Sequence, residues 1–169
     1  MDLSELIRDV PDWPEPGIVF KDIAPLLADP AAMRDACARL AEPFAGSGID
    51  RVVGIESRGF LFGVAVAQRL GAGFVPARKP GKLPGALLGL DYSLEYGTDR
   101  IEIQADALDS RHRVLVVDDV LATGGTMAAT CELVRETGAH LAGAAVLVEL
   151  GALEGRRRVP ADVHALLDL

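Results

Sequence analysis

Four short apolar runs alternate with stretches of helical period, and this alternation is the strongest constraint on the fold. The runs are 51–55 (RVVGI), 73–78 (GFVPAR), 113–117 (RVLVV) and 141–150 (LAGAAVLVEL). Between the first two lies 58–71, a largely apolar helical stretch. Between the last two lies 126–139, an amphipathic one. Strands apolar on both sides need both faces of their sheet covered, and helices between them supply the cover. The expected fold class is α/β, with a mainly parallel central sheet flanked by helices on both faces. In such sheets ligands bind beyond the carboxyl ends of the strands.

The remaining segments are read from their local chemistry. Segment 29–48 (DPAAMRDACARLAEPFAGSG) reads as a helix capped by Asp29, with Pro30 in the first turn and Gly46 or Gly48 at its end. Near the N-terminus a short amphipathic turn of helix precedes Pro11, Pro14 and Pro16, which forbid a regular helix and imply an ordered irregular segment. Segment 79–99 is broken by prolines and glycines and shows neither period, so it reads as a long functional loop. Segment 100–104 alternates like a half-exposed strand. The run GRRR (155–158) reads as a solvated turn, and the final DVHALLDL carries no assignable pattern.

Charge and cysteine content exclude several classes. The 17 basic and 25 acidic residues leave a net charge of -8, which disfavours nucleic acid as a main partner. Cys37 and Cys131, the only cysteines, each fall on an apolar helical stripe and read as core residues, with no zinc spacing or disulfide framework. No apolar run approaches the roughly 20 residues of a membrane span, and the acidic start is not that of a signal peptide. A cytoplasmic location with no membrane partner is expected.

The stretch VLVVDDVLATGGT (114–126) carries the chemistry. Asp118 and Asp119 stand at the end of an apolar strand, and the residues after them feed a helix. Small residues let backbone N–H groups approach an anion, and the helix N-terminus adds positive partial charge. Ala122, Thr123, Gly124, Gly125 and Thr126 therefore read as a phosphate cradle, with two hydroxyls as extra donors. The aspartates cannot bind phosphate, but they can accept from vicinal hydroxyls. The ligand implied is a ribose 5-phosphate. Neither the Gly-Lys-Ser/Thr of a Walker loop nor Gly-x-Gly-x-x-Gly is present.

That stretch resembles the phosphoribosyl pyrophosphate motif of the type I phosphoribosyltransferases. DVPDWPEPGIVFKDIAPLL (9–27), VVGIESRGFLFG (52–63), ARKPGKLPG (77–85) and YSLEYGTDRIEIQADAL (92–108) narrow the resemblance to the adenine phosphoribosyltransferases. It runs from about residue 3 to about residue 158. It implies transfer of a phosphoribosyl group from phosphoribosyl pyrophosphate to adenine, giving AMP and pyrophosphate, with magnesium and in a homodimer.

The resemblance also distributes roles over a single domain with an N-terminal base-binding hood (1–28) and a flexible lid (79–99). Asp118 and Asp119 hold the ribose hydroxyls, and Arg58, Arg78, Lys79 and Lys82 neutralise pyrophosphate. Glu95 manages a proton on the purine beside Tyr96 in the lid. Phe20 stacks on adenine, backbone groups of Val19 and Lys21 read its edge, and Leu121 closes the opposite face. Magnesium is held mainly by the substrate, with no direct protein ligand. The turn at Glu56–Ser57 is expected to hold a cis peptide. The rival readings are another acceptor base and a non-catalytic regulator that binds the donor and DNA. The PGIVFKDI segment argues against the first, and the acidic charge against the second.

Overall fold

The computed structural model describes residues 1–94 and 97–169. It begins with a hairpin, β1 (Arg8–Pro11) and β2 (Val19–Asp22), followed by helices α1 (Ala24–Ala28) and α2 (Pro30–Ala41). Strand β3 (Arg51–Ile55), helix α3 (Gly59–Leu70) and strand β4 (Gly73–Ala77) come next. A second hairpin, β5 (Leu87–Ser93) and β6 (Thr98–Gln104), leads to strand β7 (Arg113–Leu121), helix α4 (Gly125–Glu136), and strands β8 (His140–Glu149) and β9 (Val163–Asp168).

Five strands form a parallel sheet in the order β4-β3-β7-β8-β9. Alternate residues of β7 face opposite sides, as the two-residue strand period requires. Leu115 and Val117 pack with Leu40, Phe62 and Val66 of α2 and α3, while Val114 and Val116 pack with Met127, Leu133 and Val134 of α4. Val114 to Val117 are all 0 % exposed. Burial of such side chains contributes about 1.5–3 kcal/mol each, which fixes this strand as the centre of the sheet. Asp29 caps α2 as its sequence implies, its carboxylate accepting from Ala31 N at 2.8 Å and Ala32 N at 2.9 Å.

From β3 the chain winds outward to β4, and from β7 it winds the other way to β8. The switch point therefore lies between the carboxyl ends of β3 and β7, where a crevice is expected.

Four expectations need correction. Strand β7 does not stop at 117 but continues through both aspartates to Leu121, in register with β8 to Glu149. Segment 79–99 is not a structureless loop, because 87–93 pairs in antiparallel register with 98–104. Its alternation is hidden by Gly89, over which the Arg100 guanidinium lies, and by the exposed Leu88. The proline-rich N-terminus is not wholly irregular, since 8–11 and 19–22 pair. The C-terminal run supplies edge strand β9, whose half-buried residues give no clean period.

Candidate active site

At the switch point a cavity of about 950 Å³ opens between the main sheet and the β1–β2 hairpin. Its walls come from Ile55 to Arg58 after β3, from Asp118 to Val120, Ala122 and Thr126 around the end of β7, and from Val19 to Lys21 of β2. Leu150 and Leu153 complete it after β8. The Glu56–Ser57 peptide at its edge is cis.

The two aspartates are set by strand register rather than by a free loop. Asp119 is only 5 % exposed. Its Oδ2 lies 2.7 Å from Arg58 Nε, a contact without hydrogen-bond geometry. That buried oxygen therefore has an ion-pair neighbour but no hydrogen-bond donor within the protein. Asp118 Oδ1 accepts from Asp119 N at 2.8 Å. Burial, and then the Asp119 carboxylate beside it, push the Asp118 carboxyl well above the usual range. Like charges held together at the mouth of a cavity form a site that costs stability and gains when a ligand donates hydroxyls or brings positive charge.

Beyond β7 the chain runs through small residues, Ala122, Thr123, Gly124 and Gly125. Gly124 has φ 82° and precedes the first residue of α4. A Cβ on Gly124 would lie 2.3 Å from the Gly155 carbonyl oxygen, so main chain here packs directly on main chain. The 12-residue helix α4 directs its N-terminus at this loop and gives it the polarity of an anion site. Thr126 Oγ1 donates to the Tyr92 hydroxyl at 3.0 Å.

The cations expected to meet pyrophosphate are divided. Arg58 and Lys79 reach the cavity. Lys79 Nζ donates to the Tyr92 hydroxyl at 2.6 Å and pairs closely with Asp99. Partial burial disfavours the Lys79 ammonium, but its bonds to Asp99 and Tyr92 outweigh that and raise its pKa. Arg78 is turned to Glu56, 2.9 Å away, and is not on the cavity wall. Lys82 lies on an exposed segment, also off the wall. Arg78 and Lys79 thus each hold a carboxylate partner.

On the opposite side Val19, Phe20 and Lys21 all line the cavity. Phe20 meets Trp13 edge-on at 4.4 Å between centroids, and the Arg58 guanidinium lies 4.9 Å from its ring centre. Leu121 does not close this slot, because it is 1 % exposed and packed in the core beneath α4. Val120 and Leu150 line the cavity instead. The signal for Val120 was the apolar pair 120–121, which continues the strand past the aspartates. Trp13 and Leu153 carry no such signal. Glu95 and Tyr96 lie outside the described residues.

An acidic pair that ends a strand beside a doubly wound switch point and leads through a small-residue loop into a helix N-terminus suits a phosphoribosyl transferase domain, and residues 26–165 match the family of that description. The chain is 57% identical over 165 residues to the adenine phosphoribosyltransferase of Parasynechococcus marenigrum (strain WH8102), covering 98% of this chain and 96% of the relative. The crystal structure of adenine phosphoribosyltransferase from Rhodothermus marinus DSM 4252 superposes with a TM-score of 0.95 at 53% identity, over 99% of this chain and 96% of that one. The Saccharomyces cerevisiae enzyme, complexed with adenine and D-2,5-dideoxy-2,5-imino-altritol 1,6-bisphosphate, superposes at 0.93 with 42% identity, covering 98% of this chain and 97% of its own. The chain belongs to the adenine phosphoribosyltransferase family.

Proposed function

We infer that the chain makes AMP for purine salvage, by displacement at the anomeric carbon of phosphoribosyl pyrophosphate. The observation that carries this reading is a pair of cavities that share Asp118, Val120, Ala122 and Thr126 as walls, one holding the Asp118–Asp119 pair and the Phe20 slot and the other the Gly124 loop. Adenine N9 attacks the anomeric carbon, its bond to the pyrophosphate oxygen breaks, and pyrophosphate leaves with the electron pair. The N9 proton is the one Glu95 is suited to receive.

The 5-phosphate takes the backbone N–H groups of residues 122–126, and the ribose hydroxyls donate to Asp118 and Asp119. The orphaned Asp119 Oδ2 supports this, since a buried acceptor without a donor costs about 1–3 kcal/mol until one arrives. The aspartates also place negative charge beside a ribose that becomes cationic in the transition state. Arg58 and Lys79 face the leaving pyrophosphate, so Lys79 exchanges Asp99 for a phosphate oxygen. Arg78 and Lys82 reach it only if the segment carrying them closes, and 79–99 acts as a lid whose base is the β5–β6 hairpin. Residues 1–28 form the hood of a single domain: Phe20 stacks on adenine, Val120 lies opposite, and one C=O and one N–H of Val19 and Lys21 read its edge. A 6-oxopurine would face that edge with the wrong partner at about 1–3 kcal/mol per unpaired group.

Magnesium fits this site as an ion carried by the donor. It favours oxygen ligands and retains water, and the carboxylates at the cavity can accept from such water. Bound there it neutralises pyrophosphate charge. A homodimer is supported by Leu61 and Val64, adjacent on one face of α3 and 46% and 41% exposed. A reducing, cytoplasmic setting suits two buried free thiols, Cys131 being pushed up to about 12 by burial. Among the described residues no helix is long and apolar enough to cross a membrane.

The test is an acceptor panel with phosphoribosyl pyrophosphate and magnesium. AMP from adenine, with little product from hypoxanthine, guanine or xanthine, is expected. Equal turnover of hypoxanthine and adenine would defeat the assignment of the edge.

A further inference from the structure

The GRRR run reads from sequence as a solvated turn, yet it is wedged against the loop that precedes α4. Gly155 is buried, and a Cβ on it would lie 2.2 Å from the Ala122 carbonyl oxygen and 2.9 Å from Gly124 N. The contact is reciprocal, since a Cβ on Gly124 would strike the Gly155 carbonyl. Both clashes are with main chain, so no side-chain rotation relieves them.

The turn itself is anchored from behind. Glu154, at φ 51°, reverses the chain so that Gly155 returns to the loop. Arg156 Nε donates to both Glu149 oxygens at 3.1 Å, and its two terminal nitrogens donate to Glu149 and to the Val163 carbonyl. Glu149 is buried and sits in register with Leu121, the residue immediately before the loop. Arg158 Nη1 donates to the Thr123 carbonyl at 3.4 Å. Arg157 alone points away, 77% exposed and paired with Glu154.

A cradle built from backbone N–H groups works only if those groups stay fixed when the anion arrives. Residues 122–125 carry almost no side chain with which to fix themselves, and glycine resists ordering most. The fixing must come from outside. We propose that the Gly155–Arg158 turn is a buttress for the phosphate loop, with Gly155 and Arg156 as positioning residues for the 5-phosphate of the donor. This rests on the reading of 122–126 as the 5-phosphate site.

The experiment compares Gly155→Ala, Arg156→Gln and Arg157→Ala with the wild type, measuring KM for donor and for adenine, and ribose 5-phosphate binding by calorimetry. Gly155→Ala should weaken ribose 5-phosphate binding and raise donor KM about tenfold or more, because a displaced cradle loses its aim, while KM for adenine stays put. Arg156→Gln should move the same two quantities by less, Arg156→Lys should recover only part of that loss because it lacks the fork, and Arg157→Ala should move neither. Should Gly155→Ala not fold, the Arg156 pair decides the matter by the same selectivity. Full ribose 5-phosphate binding by folded variants, or equal losses for donor and adenine, would overturn the buttress alone. A wild-type protein that does not bind ribose 5-phosphate would overturn the phosphate reading and the buttress with it.

Discussion

On the proposed reading, the two halves of the site differ in the mix of materials that would meet their ligands. The proposed phosphate half is mostly main chain: the end of a strand paired with β8, a loop of small residues, a helix N-terminus, and a second stretch of backbone pressed against the loop at Gly155. The proposed base half lies on a two-stranded hairpin that offers exposed side chains together with the backbone edge of Val19 and Lys21, with Trp13 51% and Val19 48% exposed and Phe20 held by edge and cation contacts. A phosphate keeps its charge and shape through the reaction, so fixed dipoles serve it. A base must enter, be read and depart as a nucleotide, so its half is built from pieces that can shift.

This contrast can be broken by experiment. Gly124→Ala should have the largest effect, about a hundredfold loss in kcat/KM for the donor whichever base is supplied, because the Cβ strikes main chain and φ 82° strains any side chain. A loss confined to adenine would erase the division of labour. Phe20→Ala should act on the other half only, raising KM for adenine by roughly tenfold, the equivalent of about 1.4 kcal/mol of lost stacking, with donor KM unchanged. Asp99→Asn should release Lys79 from a half-exposed pair worth about 0.5–1 kcal/mol. Trypsin cleavage after Lys82 in the free protein should then quicken by about two- to fivefold, and donor with magnesium should protect both forms. An unchanged rate would show that the hairpin base does not restrain the lid.

The smallest expected effect sharpens the contrast most. Asp118 has its pKa raised by burial and by Asp119, so its ionisation opposes folding. The sign follows: between the unfolded and folded pKa the unfolded chain is ionised while the folded one holds its proton, and stability falls as pH rises through that window. Asp118→Asn should therefore gain about 1 kcal/mol at neutral pH, or roughly 2–4 °C in Tm, and lose that gain below about pH 4. Turnover should fall in the same variant. A lower Tm at neutral pH would mean that the aspartate pair is not a strained feature.

The phosphate half was the more legible in sequence, and the reason is physical. Apolar runs with helices between them dictate the sheet, and the sheet dictates where its switch point falls. The carboxylates and the small residues of 118–126 are unusual enough at that place to declare their use. The base half depends on contacts between distant segments. Val120 was displaced by one position in the reading because β7 was taken to end before the aspartates. Trp13 and Leu153 meet only after the hairpin and the β8 end fold over the same space. GRRR was half legible: its arginines are exposed as their charge suggests, but Gly155 is buried against main chain and the exposed Arg156 reaches back to the buried Glu149.

The hairpin of β1 and β2 forms its own two-stranded sheet, separate from the five-stranded one. With the base edge read by this hairpin as proposed, that separation makes acceptor choice a transplantable trait. Exchanging residues 8–22 for the corresponding stretch of a relative with a different base preference would leave the strand ladder, the acidic pair and the phosphate loop with every backbone partner they now have. Diversification of such enzymes toward new bases could proceed by swapping a cover while the chemistry beneath it is inherited intact.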